Sequence, residues 1–155
     1  MALGKKKMLH QAAGGDVNTD NFAPVLYTGN GSTQPITTVG FQPDFVWIKN
    51  RDQNDSHQLF DSVRGAGFDI HSDTTAAEPT SADTTSLTSF DTNGFTLSTN
   101  VVVNTNNEDY VAWCWKAGGT AVSNTDGSIT SQVSANTDAG FSIVKYTGQI
   151  ASGQS

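Results

Sequence analysis

The sequence predicts an all-β protein, an antiparallel β-sandwich preceded by a short helical or extended segment. Hydrophobic residues make up 35% of its 155 positions, but 3 Trp, 3 Tyr and 8 Phe supply side chains for a core. The remainder is rich in Thr, which favours strands, and in Asn and Gly, which favour turns. Short apolar runs also alternate with turn signals such as Asn30-Gly31 and Asp126-Gly127. Many short antiparallel strands of this kind pack as a sandwich.

The N-terminal segment, residues 1–21, differs in composition from the rest of the chain. A weak apolar stripe ends at Gly14-Gly15, and three of the eight basic residues are adjacent lysines. We interpret the segment as an appendage that docks on a larger assembly, with a frayed terminus as the alternative. The residues expected to dock are Leu3, Lys5, Lys6, Lys7, Met8 and Leu9.

The strands that follow are predicted from alternation and turn signals. They cover residues 24–28, 34–39, 45–49, 57–61, 68–71, 86–90, 94–98, 110–116, 128–134 and 141–147. Residues 45–48 and 110–115 are the most apolar runs and should form central strands. Because successive side chains of a strand point to opposite faces, Trp113 and Trp115 lie on the same face of one strand. Two tryptophans in such an apolar run are more typical of a core than of a platform that binds a ligand. We expect Trp47, Trp113 and Cys114 in the core.

Two stretches lack a clear strand pattern. Residues 74–85 show no apolar periodicity, which predicts a long exposed loop. The three valines at 101–103 indicate a short edge strand or a contact to a neighbour.

The end of the chain repeats its beginning. Residues 22–29 read FAPVLYTG and residues 141–148 read FSIVKYTG, so five of eight positions are identical. Tandem similarity is typical of arrays of one structural unit. We therefore divide the chain into a docking segment (1–21), a sandwich domain (22–118), a connecting strand or linker (119–139) and the first strand of a second repeat (140–155). Because a lone strand leaves backbone groups unpaired, the natural protein should continue, or this strand should pair with another chain.

The charge and cysteine content exclude several classes of protein. A net charge of −7 disfavours binding to nucleic acid or anionic lipid. The one cysteine precludes an internal disulfide, which favours assembly in a reducing cell. No apolar run approaches membrane-spanning length, so we expect no membrane insertion.

The polar residues offer few candidates for chemistry. The densest cluster admits an acid–base interpretation, but turn chemistry, with Asp61 pairing Arg64, explains it as well. Glycoside hydrolysis requires two carboxylic acids held close together, but Glu78 lies in a predicted loop, Glu108 lies at a strand start, and no predicted strand carries an alternating Glu/Asp pair. Two turns, residues 52–55 and 124–127, are rich in Asp and Asn, but neither completes the calcium-binding loop of an EF-hand. We therefore predict no enzyme activity, no catalytic residues, no cofactor and no metal site. The cluster comprises Asp52, Asp55, His57, Asp61, Arg64, Asp69 and His71.

Four segments together resemble a known family. They read VGFQPDFVWIKNR (39–51), LFDSVRG (59–65), LTSFDTNGFTL (87–97) and YVAWCWKA (110–117). They resemble a domain of unknown function found in tail-fibre and other virion proteins of marine phages. The resemblance implies a concanavalin-A-like jelly roll and a phage origin, and it supplies no catalytic residues.

From this resemblance we expect a phage virion structural protein, namely the virion-attached N-terminal part of a tail fibre. It would be a homotrimer, assembled in the host cytoplasm and joined to other tail or capsid proteins. The alternatives are a lectin-like module for host surface glycans and a head decoration protein. An exposed Trp or Tyr in a concave groove would favour the lectin, whereas tryptophans buried between sheets would favour a scaffold.

Overall fold

The main sheet is built around the two most apolar runs of the sequence. The computed structural model describes residues 20–148. Its five-stranded antiparallel sheet has the order β1-β8-β3-β4-β5. Buried and half-buried side chains alternate along the central strands β3 and β8, because successive side chains of a strand point to opposite faces of the sheet. The strands are β1 (Phe22–Thr28), β3 (Phe45–Asn50), β4 (Gln58–Asp61), β5 (Asp69–Ile70) and β8 (Asp109–Trp115).

A second antiparallel sheet of order β2-β7-β6 covers the inner face of the first. Its strands are β2 (Gln34–Ile36), β6 (Leu87–Asp91) and β7 (Gly94–Leu97). Buried side chains of both sheets form one core, including Val46, Ile48, Phe60, Leu87, Phe95, Leu97 and Tyr110. The predicted all-β antiparallel sandwich is therefore confirmed.

The prediction of core residues was right for one side chain and wrong for two. Cys114 is fully buried in the core. Trp47 and Trp113 are only half-buried, and they lie on the opposite, outer face of the sheet. Because neighbouring residues of a strand point to opposite faces, Trp113 and Cys114 cannot both enter one core. The small side chains of Ala112 and Cys114 fill the inner positions instead.

A short helix, α1 (Val101–Asn104), occupies the place of the expected edge strand. The Asn100 side chain caps it by accepting a hydrogen bond from the backbone N–H of Val102. Asn104 is fully buried, and its amide donates to the carbonyls of Ser32 and Ser98. The helix thereby fastens the turn after β1 to the end of β7.

A third sheet follows the sandwich, with the order β11-β10-β9. Its strands are β9 (Val122–Asn124), which the sequence did not reveal, β10 (Ser131–Asn136) and β11 (Phe141–Tyr146). Ser134 joins it to the end of the main sheet, because its hydroxyl accepts from Gly118 N–H and donates to the Gly119 carbonyl. The repeated strand β11 thus pairs with β10, while the proposed domain boundaries stay predictions.

Some expectations fall on residues that the structure does not describe. The expected docking residues Leu3–Leu9 and the segment 149–155 lie outside residues 20–148. Within those described residues, no helix is long and apolar enough to cross a membrane. Residues 74–85 contain neither strand nor helix and are mostly exposed, as the sequence predicts.

Candidate binding site on the outer face of the main sheet

The outer face of the main sheet carries a row of apolar side chains that the second sheet does not cover. Strand register aligns Pro24, Trp113, Trp47, Leu59 and Ile70 across all five strands. Each of these residues is half-buried or exposed. Large partly exposed aromatic surfaces are typical of sites where proteins bind ligands or partners.

Trp47 lies at the centre of this face, between Trp113 and His57. The two indole rings meet edge to face with centroids 5.7 Å apart, and the His57 ring lies 5.5 Å from Trp47. The indole N–H of Trp47 donates to Nδ1 of His57 at 2.8 Å. This bond fixes both rings, and it places the hydrogen of the neutral imidazole on Nε2.

A groove opens at one end of the same face, where β11 approaches the main sheet. Its volume is about 410 Å³. Trp115 is stacked against Phe141 at 6.0 Å and packs against Phe22 at 4.9 Å. Asn21 and the exposed Asp138 add an amide and a carboxylate to the aromatic wall. Aromatic rings beside a few polar groups are the usual composition of a small-molecule site.

The polar cluster identified in the sequence is divided into separate pairs. Asp61 accepts hydrogen bonds from the backbone N–H groups of Val63 and Arg64, and it also pairs with the Arg64 guanidinium. Asp69 lies 2.9 Å from His71. The predicted Asp61–Arg64 pair is therefore present. Among residues 20–148, no three His, Cys, Asp or Glu side chains are placed to hold a metal ion.

The two glutamates lie in different surroundings. Glu78 is 3.6 Å from Arg64 and 4.0 Å from Lys145. Glu108 accepts instead from the amide of Asn50 at 2.7 Å. Each carboxylate is engaged by its own partners, which is the arrangement of structural ion pairs and hydrogen bonds.

Sequence reasoning found the tryptophans but not the site that they form. Asn21 lies far from Asp138 and Phe141 in sequence and meets them only because β11 folds back onto the end of β8. The alternation of Trp113 with Cys114 was the available signal, because it requires one of the two to face outwards.

Comparison with known proteins identifies a family. A profile for a domain of unknown function, DUF7483, matches residues 17–155. The chain belongs to the DUF7483 family. Neither curated proteins nor solved structures gave a match. The matched span takes in the main sandwich of this DUF7483 domain and the third sheet together.

Proposed function

We propose that the chain is a non-enzymatic structural module of a phage virion, the virion-attached part of a tail fibre. The observation that carries the proposal is the set of four segments that resemble virion proteins, all within the sandwich that the structure describes. A rigid core with caps and turns tied by side-chain hydrogen bonds suits a load-bearing module.

The finer parts of the proposal rest on the same resemblance. They are the concanavalin-like relationship, a homotrimeric assembly in the host cytoplasm, and docking to tail or capsid proteins through the N-terminal segment. A head decoration protein is the variant of this proposal in which the partner is the capsid.

Purified virions of the phage that encodes the chain provide the test. We expect its peptides in the virion proteome and immunogold label on the tail fibres. Immunogold label on the head would indicate a head decoration protein instead of a tail-fibre protein. Virions that lack the protein altogether would refute a structural role.

The groove beside Trp115 favours a second candidate, binding of a host surface glycan. Sugars stack their apolar faces on aromatic rings and hydrogen-bond to amide and carboxylate groups. Trp115, Phe141 and Asp138 supply these groups at one place.

A glycan array followed by titration of tryptophan fluorescence tests this candidate. Asp138→Ala should weaken binding of any selected glycan at least tenfold. Asp126→Ala is the matched control, because Asp126 is also exposed in a turn but does not line the groove. Equal affinity of the two variants would exclude the groove as the site.

A further inference from the structure

The repeated strand keeps the residues with which β1 contacts its own body. In β1, Val25 is buried in the core and Tyr27 stacks on Tyr110 at 5.0 Å. The Tyr27 hydroxyl also donates to the Val103 carbonyl at 2.7 Å. The hydroxyl of Thr28 donates to Asp109 at 2.8 Å. All three residue types recur at the matching positions, Val144 and Tyr146 in β11 and Thr147 directly after it.

The turn after β1 extends this correspondence. A Cβ added to Gly29 would lie 2.2 Å from the carbonyl oxygen of Thr105, so only glycine fits there. The matching position after β11 is also a glycine, Gly148, where a Cβ would meet nothing within 4 Å.

The positions that differ between the strands lie mostly on the outer face of β1. Pro24 and Leu26 are exposed, and Leu26 retains 66% of its accessible surface. Their counterparts are Ile143 and Lys145. Ala23, which packs partly against the core, is the third difference.

Among residues 20–148, the retained residues Val144 and Tyr146 of β11 lie at the surface. Val144 is 47% exposed and Tyr146 is 64% exposed. Register aligns Val144 with Val133 and Val122, so an apolar row crosses the outward face of the third sheet. The opposite face packs inwards, with Phe141 against Trp115 and Ile143 buried.

We propose that β11 is a joining strand that takes the place of β1 in the body of a second copy of this domain, which it contacts through its outward face and its unpaired edge. The β8 strand of that copy would pair with β11 as β8 pairs with β1. Val144 and Tyr146 would then enter its core, and Thr147 would bond its Asp109. The β1–β8 interface of this chain supplies the geometry, and the inference is independent of the virion proposal.

Exchange of strand sequences in the full chain is the first test. The combined substitutions Ala23→Ser, Pro24→Ile and Leu26→Lys give β1 the sequence of β11. Because Val25, Tyr27 and Thr28 keep their contacts to the body, we expect the melting temperature to change by less than about 4 °C. Adding Val25→Asp as the matched control should lower it by more than about 10 °C, because the charge would be buried. A drop that large without the aspartate would overturn the proposal.

A tandem protein provides the direct test. The chain through Gly148 is followed at once by residues 30–148, so the second body has no β1 of its own. We expect Ellman's reagent to find both Cys114 thiols protected, since Cys114 is fully buried only in a folded body. A tandem of two complete copies is the control for folding. One reactive thiol in the test protein and none in the control would overturn the proposal.

The substitution Val144→Asp distinguishes a role of Val144 in joining two bodies from a role in the stability of the single chain. In the single chain this change should leave the melting temperature within about 2 °C, because Val144 is 47% exposed. In the tandem protein the same change should expose one thiol. Protection of both thiols in the tandem variant would refute burial of Val144 by the second body.

Discussion

At the scale of single residues, Cys114 shows how burial controls chemistry. Its thiol is fully buried between the two sheets, and burial raises the pKa of Cys114 from 9.0 to about 12. The thiol therefore stays protonated at neutral pH and serves as a small hydrophobic side chain. Burial also raises the pKa of Tyr27 well above its usual value.

This burial makes stability depend on alkaline pH. Below pH 9.0 the thiol is protonated in both states, but from there to about pH 12 only the unfolded chain loses the proton. The free energy of unfolding should therefore fall as pH rises through that range. Urea titrations should show a steeper fall for the natural chain than for Cys114→Ala, in which only the tyrosines remain. Parallel slopes would contradict this assignment.

The glutamates lead to a second prediction at this scale. Glu78 and Glu108 are held by different partners, so we do not expect them to act together as acid and nucleophile on a glycosidic bond. We expect no hydrolysis of polysaccharides, measured as release of reducing ends. Turnover that disappears in both Glu78→Gln and Glu108→Gln would show the opposite.

At the scale of elements, strands with clear alternation were predictable and short polar elements were not. Residues 45–49 and 110–116 were placed within one residue of β3 (Phe45–Asn50) and β8 (Asp109–Trp115). β9 was missed because Val122–Asn124 has a single apolar residue and forms only by pairing with β10. The helix at Val101–Asn104 was missed because three valines favour a strand locally, whereas the Asn100 cap and buried Asn104 favour the helix.

The candidate site was predictable to a smaller extent. The sequence identified the tryptophans, but their placement on the outer face depends on which neighbours fill the core. The groove joins β1, β8 and the turn before β11, and no local pattern reports contacts over that sequence distance.

The two copies of the repeated strand allow a matched comparison of stability. Gly29→Ala should destabilise the chain by about 3 kcal/mol, because its Cβ would collide with the Thr105 carbonyl. Gly148→Ala should change stability by less than about 0.5 kcal/mol, since its surroundings are open. Chemical denaturation of both variants measures the difference. Equal losses would show that the two positions do not differ as described.

At the scale of the whole molecule, charge is distributed unevenly between the N-terminal segment and the body. Three lysines lie at positions 5–7, while the chain as a whole carries a net charge of −7. Long-range attraction to an acidic partner would therefore act on one end of the molecule and weaken with salt.

This distribution leads to a prediction for the N-terminal segment. Deleting residues 2–13 should leave the sandwich folded, because its core lies entirely within β1 to β8. The same deletion should abolish incorporation into virions. Circular dichroism and the virion proteome measure the two effects. Normal incorporation of the shortened protein would restore the interpretation as a frayed terminus.

If units join through β11 as proposed, Pro24 would give their assembly a direction. β1 is one of the two edge strands of the main sheet, and Pro24 has no backbone N–H to offer a further strand. Ile143, at the same position of β11, retains its N–H while β11 already pairs with β10. The edge of β1 is therefore less suited to strand addition than the edge of β11. Units joined in this way would form a head-to-tail chain with a defined polarity, and the proline would hinder extension from the wrong end.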